Sequence, residues 1–209
     1  MKTAFIILSV FLIAPIVNIT QGNSEKWVFE KERNNVKVWT RKTDASDFKS
    51  LKASATYRAS VEQMAAILND AASYPEWMMD LESTEILKEI SPNERYYYFL
   101  VDAPWPISNR DNIVHFTLTD DAKTGGFKVT VEGIPDYLPE KPGIVRIVKS
   151  QGSWLVRPKG NGEIELVFEY AADPGGKIPA WAVNMFIVDG PIKTLSNLRE
   201  VIKQEKYQQ

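Results

Sequence analysis

The chain has 209 residues, and its 25 lysines and arginines against 27 aspartates and glutamates give a formal net charge of −2. Because the charges are spread evenly, no basic surface for nucleic acid is expected. The sequence contains no cysteine, which excludes disulfides, thiolate catalysis and thiolate metal sites, and we expect no cofactor.

The first 22 residues have the pattern of a secretory signal peptide. Lys2 precedes an apolar run over residues 4–17 that lacks acidic residues and is shorter than the roughly 20 residues that span a bilayer. Cleavage would leave residues 24–209 as one domain with its own core. We therefore expect a periplasmic or secreted protein, or a membrane-anchored one if the segment is retained.

Two strands and a helix are expected at the start of the domain. Residues 36–41 and 48–58 alternate between apolar and polar side chains, as strands do, with turn residues between them. Ser60 opens a Ser-x-x-Gln capping box, which predicts a helix from residue 61 to about residue 73. Pro75 is expected to end that helix.

A succession of strands is predicted next. Their connections are short and rich in glycine and aspartate. Several of them alternate cleanly, so one face is buried and the other is wet, as in an antiparallel meander. The predicted strands cover residues 85–89, 95–102, 112–119, 127–132, 145–149, 153–157 and 163–170.

A long helix is predicted to close the chain. It begins near Pro179, a residue favoured in the first turn, and continues to about residue 203, with a break expected at Gly190 and Pro191. One stripe of it is apolar, and this helix is the only large element available to cover the apolar face of the sheet. The sequence thus predicts an α+β fold.

A proline-rich segment precedes the predicted strand at residue 112. Pro104 and Pro106 bracket Trp105 and force an extended backbone. Arg110 and Asp111 follow and form a possible ion pair, which either orients a ligand headgroup or ties the strand to the neighbouring backbone.

Four segments, in this order, resemble the START (steroidogenic acute regulatory protein-related lipid transfer) domain family. They are residues 104–111, 138–146, 152–158 and 176–191. The resemblance implies a helix-grip fold, in which a curved antiparallel sheet wraps around a long C-terminal helix. It further implies a cavity that binds one lipid or other hydrophobic molecule, without covalent chemistry. Many members carry a second arginine six residues after the first, but that position here is Phe116.

The resemblance gives a set of candidate ligand-binding residues. Alternation puts Val114, Phe116 and Leu118 on one face, where they line the cavity or belong to the plain core. Tyr137 and Leu138, at a loop tip, cover the ligand, touch a membrane or pack on the terminal helix. The full set is Tyr98, Arg110, Val114, Phe116, Leu118, Val129, Tyr137, Leu138, Phe168, Trp181, Met185 and Ile192.

The expected function is that of a monomeric carrier that takes a lipid between membranes and contacts them transiently. An alternative is an enzyme on the same fold, since related helix-grip proteins include cyclases, with Arg110, Tyr98 and Asp189 as candidate groups. A third is a lipid-responsive sensor or scaffold. His115, the only histidine, falls on the opposite face from Phe116 and is expected to be structural.

Overall fold

A ten-stranded sheet forms the frame of the protein. The computed structural model describes residues 26–43, 46–176, 178, 182–183 and 185–208. The strands are β1 (Val28–Arg33), β2 (Val36–Thr43), β3 (Ser46–Arg58), β4 (Leu81–Ser91), β5 (Glu94–Val101), β6 (Arg110–Asp121), β7 (Gly126–Gly133), β8 (Val145–Arg146), β9 (Lys149–Gly160) and β10 (Glu163–Asp173). Their spatial order is β1-β2-β3-β10-β9-β7-β6-β5-β4, with β8 beside β6.

The predicted strands are all present, and the differences lie at their ends. Pairing is antiparallel throughout this order, and β8 pairs with β6 in parallel. The predicted strand over residues 145–149 is divided, because β8 ends at Arg146 and Lys149 begins β9. The sequence analysis missed β1, an edge strand whose side chains are mostly exposed and charged and therefore lack the alternation that marks a half-buried strand.

The first helix begins where predicted and ends earlier. In α1 (Val61–Asn69) the Gln63 amide donates to Ser60 Oγ at 3.0 Å. The Gln63 side chain donates to the Ile202 carbonyl at 2.9 Å. The placement of the helix end after residue 73 was wrong. A 3₁₀ turn follows α1, and Pro75 lies in the first turn of a second short helix, α2 (Tyr74–Trp77), where its missing N–H costs no hydrogen bond.

The C-terminal helix lies against the inner face of the sheet. A π-helical turn, Met185–Asp189, precedes α3 (Gly190–Val201), so the regular helix starts at the predicted break. Residues 179–181 and 184, in the predicted first part of this helix, lie outside the described residues. Tyr57 on β3 donates to the Leu195 carbonyl at 2.7 Å.

The core lies between the inner face of the sheet and the three helices. The buried stripe of α3, with Ile192, Leu195 and Leu198, joins Met64 and Ile67 of α1 in one apolar cluster with the sheet. Burial of such side chains is worth about 1.5–3 kcal/mol each before the entropy of ordering them is counted. The predicted α+β class, a large antiparallel sheet with a C-terminal helix against it, is confirmed.

Candidate ligand-binding cavity

A cavity of about 220 Å³ lies where the inner face of the sheet meets the segment before α3. Two charged side chains border it, Lys49 of β3 and Arg110 at the start of β6, and we call it the Arg110 cavity. The rest of its wall is apolar or aromatic: Phe48, Leu51, Val101, Ile147, Tyr170, Ala172, Pro174, Ile178, Val183, Phe186 and Ile187.

A second cavity, of about 210 Å³, adjoins the first one. We call it the Trp154 cavity. Val101, Ile147 and Tyr170 border both. A third space of about 130 Å³, under Pro191 of α3, shares Tyr170 with them. Because the three cavities share lining side chains, they adjoin one another, and together they reach the size of small-molecule sites, which are roughly 300–1,000 Å³.

Aromatic contacts hold the wall of the Trp154 cavity apart. The rings of Trp154 and Phe168 stack with their centroids 4.1 Å apart, and Trp77 meets Trp154 edge-on at 5.8 Å. Tyr97 and Phe99 stack on β5, with their ring centroids 5.8 Å apart. Such pairs contribute about 0.5–1.5 kcal/mol beyond the area that they bury. These contacts keep the wall side chains from moving into the cavity, although atoms at its surface lack contact partners on one side. An apolar ligand would supply those missing contacts.

A small polar cluster lies at the junction of the cavities. Asn112 Nδ2 donates to Tyr170 Oη at 3.1 Å, and Ser150 Oγ donates to Asn112 Oδ1 at 3.0 Å. Burial raises the pKa of Tyr170 to about 12, although the hydrogen bonds with Ser150 and Asn112 oppose this rise. Tyr170 is therefore neutral at physiological pH, and the three side chains satisfy one another.

Arg110 and Asp111 do not form the ion pair considered from the sequence. Alternation along β6 separates them. Asp111 receives two hydrogen bonds from Arg146, at 2.6 Å from Nε and 3.0 Å from Nη2. Arg110 donates from Nη1 to the Ser108 carbonyl, its Nε has no partner, and burial lowers its pKa. Of the two residues, Asp111 is therefore the one that connects the strand to neighbouring structure, through Arg146.

The predicted site residues fall into four groups. Arg110, Phe116 and Phe168 border the cavities. Four others are buried in the core cluster next to them, namely Val114, Leu118, Val129 and Ile192. Tyr98, Tyr137 and Leu138 lie away from the cavities. Trp181 and the side chain of Met185 lie outside the described residues. Contact between any of them and a ligand stays a prediction.

Tyr98 was predicted to line the cavity, but its side chain lies on the other face of β5. Phe99 and Val101 line the Trp154 cavity, so Tyr98 points to the opposite face, where Lys141 Nζ lies 3.9 Å from its ring centroid. The Tyr137 ring meets Tyr96 edge-on at 5.0 Å. The loop over residues 134–144 therefore packs on the outer face of β5, and the ring contact of Tyr137 is with that strand.

The groups that an enzyme would need are not brought together. Of the three candidates, only Arg110 borders the Arg110 or the Trp154 cavity. Tyr98 lies on the outer face of β5, and Asp189 pairs with Lys31 at 3.0 Å. His115 lies on the face opposite Phe116, as predicted, with its Nε2 2.8 Å from Glu94 Oε1.

Sequence reasoning missed several cavity residues. Val101 lies on the same face of β5 as Tyr97 and Phe99, but the aromatic residues on both faces of this strand hide that face in the sequence. Ile147 lies between β8 and β9, and Asn112 is a polar residue on an apolar face, so no pattern marks either of them. Tyr170 was predicted only as a strand residue, although it borders all three cavities.

Within the described part of the chain, no helix combines the length and the apolar composition that crossing a bilayer requires. In the same residues, no group of three or more His, Cys, Asp or Glu side chains is placed to hold a metal ion.

Comparison with known proteins finds a family model and a relative that match most of the chain. The family model described as START domain matches residues 16–207. An uncharacterised protein of Pseudomonas aeruginosa is 30% identical over 95% of this chain and 98% of its own length. The phosphatidylcholine transfer protein of Rattus norvegicus is 27% identical, but over only 57% of this chain and 56% of the rat protein.

A solved structure has the same fold over most of the chain. The STAR-related lipid transfer protein of Xanthomonas axonopodis superposes with a TM-score of 0.78 and 34% identity, covering 86% of this chain and 100% of that one.

Proposed function

This chain belongs to the START domain family, and from that premise we propose that it binds one lipid or other hydrophobic molecule between its sheet and α3 and carries it between membranes. The observation that carries the proposal is the pair of adjoining cavities, the Arg110 and Trp154 cavities, whose walls share Val101, Ile147 and Tyr170. Burial of apolar surface is worth about 25 cal/mol per Å², so a chain filling both cavities needs few polar contacts. The names of the rat and Xanthomonas axonopodis relatives support lipid transfer.

We propose that the protein returns its ligand unaltered. The dispersal of Arg110, Tyr98 and Asp189 supports a carrier over a cyclase-like enzyme, since general acid–base catalysis requires its groups within reach of one substrate. A sensor or scaffold would use the same cavity and differ only in a partner that reads its occupancy.

Release of the ligand would take place in transient contact with a membrane. Trp105 is 90% exposed, and its loop packs through Ala103 and Ile107 on Ala182, with Ile178 and Phe186 alongside. The last two residues also line the Arg110 cavity. An exposed tryptophan beside a cavity wall suits the interface between water and lipid, where one end of the ring is apolar and the other wet.

Export belongs to the same proposal. Residues 1–22 carry the composition of a signal peptide, and a carrier in the periplasm or outside the cell would work on lipids of the envelope. We propose that the mature protein acts as a monomer, because all the residues that line the Arg110 and Trp154 cavities come from one chain.

Native mass spectrometry of the purified protein, with organic extraction of whatever dissociates, tests the carrier. We expect one intact lipid per chain. Ile147→Trp fills the junction between the two cavities and should reduce lipid occupancy at least tenfold, while Val148→Trp is the matched control because Val148 is 47% exposed. Overpacking costs about 1–3 kcal/mol, so circular dichroism must show both variants folded.

Two results would contradict the proposal. One is a wild-type protein that carries no lipid and takes up no added sterol, fatty acid or phospholipid. The other is a chemically altered product, which would favour the enzyme.

A further inference from the structure

Arg110 is a buried cation with unused hydrogen-bonding capacity. Its residue is 5% exposed, its Nε has no hydrogen-bond partner, and its Nη1 donates to the Ser108 carbonyl. A guanidinium carries five N–H donors in one plane. A buried charge that lacks a counterion is costly for a protein to maintain, so its presence at a cavity wall needs an explanation.

The part of the chain that the structure describes places no anion against this guanidinium. Among the described residues no carboxylate forms an ion pair with Arg110. The adjacent carboxylate, Asp111, lies on the other face of β6 and is taken by Arg146. The second cation at the cavity, Lys49, pairs with Glu30 at 3.4 Å in a more exposed position.

The other polar side chains of the cavities need no ligand. Asn112, Ser150 and Tyr170 satisfy one another through hydrogen bonds. Thr194 accepts a hydrogen bond from the Met79 amide at 2.9 Å, and most of the remaining wall is apolar or aromatic. The unmet demand for a hydrogen-bond acceptor is therefore concentrated at one point, Arg110, at the end of the region that lies away from Trp154.

We infer that the ligand is an amphiphile with an acidic head, a carboxylate or a phosphate, whose oxygens pair with Arg110. Its hydrocarbon chain would pass Val101, Ile147 and Tyr170 and fill the Trp154 cavity. A planar guanidinium matches two oxygens of either head, and such charge-assisted bonds are the strong ones. The desolvation that lowers the pKa of Arg110 would be offset on binding. This inference rests on the proposed function, because it names the ligand class for the same cavities.

The test compares three ligands that share one hydrocarbon chain and differ in the head: oleate, oleyl phosphate and oleyl alcohol. Their dissociation constants are measured by calorimetry on the delipidated protein. We expect wild type to bind at least one acid roughly ten- to a hundredfold more tightly than the alcohol. The stronger acid identifies the source of the head, a fatty acid or a lipid phosphate.

Variants tie the preference to the guanidinium. Arg110→Met should remove the advantage of the acid and leave affinity for oleyl alcohol within about twofold, and Arg110→Lys should retain part of it. Arg58→Met is the matched control, because Arg58 is an exposed arginine at the far end of β3 and its loss changes the net charge equally.

The outcomes separate the inference from the function beneath it. If wild type binds the alcohol as tightly as both acids, or if Arg110→Met keeps the preference, the acidic head is refuted and the carrier stands. If wild type binds none of the three ligands and no other lipid, the carrier is refuted together with the inference. The comparison of head groups on wild type needs no variant, so it decides the question even if Arg110→Met fails to fold.

Discussion

Arg110 and Arg146 lie on adjacent rungs of one parallel strand pair and have opposite surroundings. In the pairing of β6 with β8, Arg110 faces Val145 and Asp111 faces Arg146. Both arginines are 5% exposed. Arg146 donates two hydrogen bonds to Asp111 and one each to the carbonyls of Pro135, Leu138 and Pro139. Within the described ranges, Arg110 donates only to the Ser108 carbonyl.

The difference shows how a structural arginine is told from one available to a ligand. The hydrogen bonds with Asp111 raise the pKa of Arg146, whereas burial lowers the pKa of Arg110. Equal burial therefore has opposite electrostatic consequences. Arg146 fastens the loop over residues 134–144 to β6, because its three carbonyl acceptors all lie in that loop. Among the described residues, Arg110 forms no hydrogen bond beyond its own turn, and its side chain borders the Arg110 cavity.

The largest effect is expected at the paired arginine. Arg146→Met leaves Asp111 as a buried charge without a partner and three carbonyls without a donor, which should lower the free energy of unfolding by roughly 3–5 kcal/mol. Urea unfolding followed by circular dichroism measures the loss. Arg58→Met, at an exposed position, is the control and should change stability by less than about 0.5 kcal/mol.

The cause of that loss can be isolated by removing the second charge. Asp111→Asn combined with Arg146→Met should cost less than the sum of the two single changes, because no unpaired charge remains. Additive costs would show that the ion pair is not what holds this loop.

The pairing of Asp111 with Arg146 marks a limit of sequence reasoning. Alternation predicted the strands and put Phe116 on the inner face, and Ser60 predicted the start of α1, because each is a local pattern. The partner of Asp111 lies 35 residues away, on a two-residue strand, and the sequence instead suggested the adjacent Arg110. Which of two neighbouring charged side chains faces a cavity depends on the face of the sheet on which each one lies. Local patterns predict that face only where the alternation of apolar and polar residues is unambiguous.

The sequence predicted that a cavity exists but identified only part of its wall. The segment Tyr96-Tyr97-Tyr98-Phe99 is aromatic on both faces, so it gave no signal that Tyr97 and Phe99 face inward and Tyr98 outward. A void is a property of packing that composition does not record. A cavity was expected because four segments resemble a family. That Ile147, Asn112 and Tyr170 line it is seen only in the structure.

The unpaired arginine should be nearly dispensable for stability. Arg110→Met removes a buried charge, a gain, and one hydrogen bond to the Ser108 carbonyl, a loss, so we expect the unfolding free energy of the lipid-free protein to stay within about 1 kcal/mol of wild type. The same urea titration measures it. A loss comparable to that of Arg146→Met would mean that Arg110 is structural, and the contrast between the two arginines would disappear.

The smallest effect concerns the satisfied cluster beside Arg110. Because burial raises the pKa of Tyr170 from an ordinary value of about 10 to about 12, the folded state holds the neutral phenol while the unfolded chain ionises first. Its stabilising contribution is complete below about pH 10 and is lost as the pH rises toward 12. Raising the pH from 9 to 10.5 should therefore lower the free energy of unfolding of Tyr170→Phe by up to about 1 kcal/mol less than that of wild type. Urea titrations of both proteins at the two pH values measure this difference. The variant has lost the hydrogen bond from Asn112 at both pH values, so that cost cancels when its two unfolding free energies are subtracted. Parallel losses would show that the Tyr170 hydroxyl is solvated, and the polar cluster would then join Arg110 as a group open to the ligand.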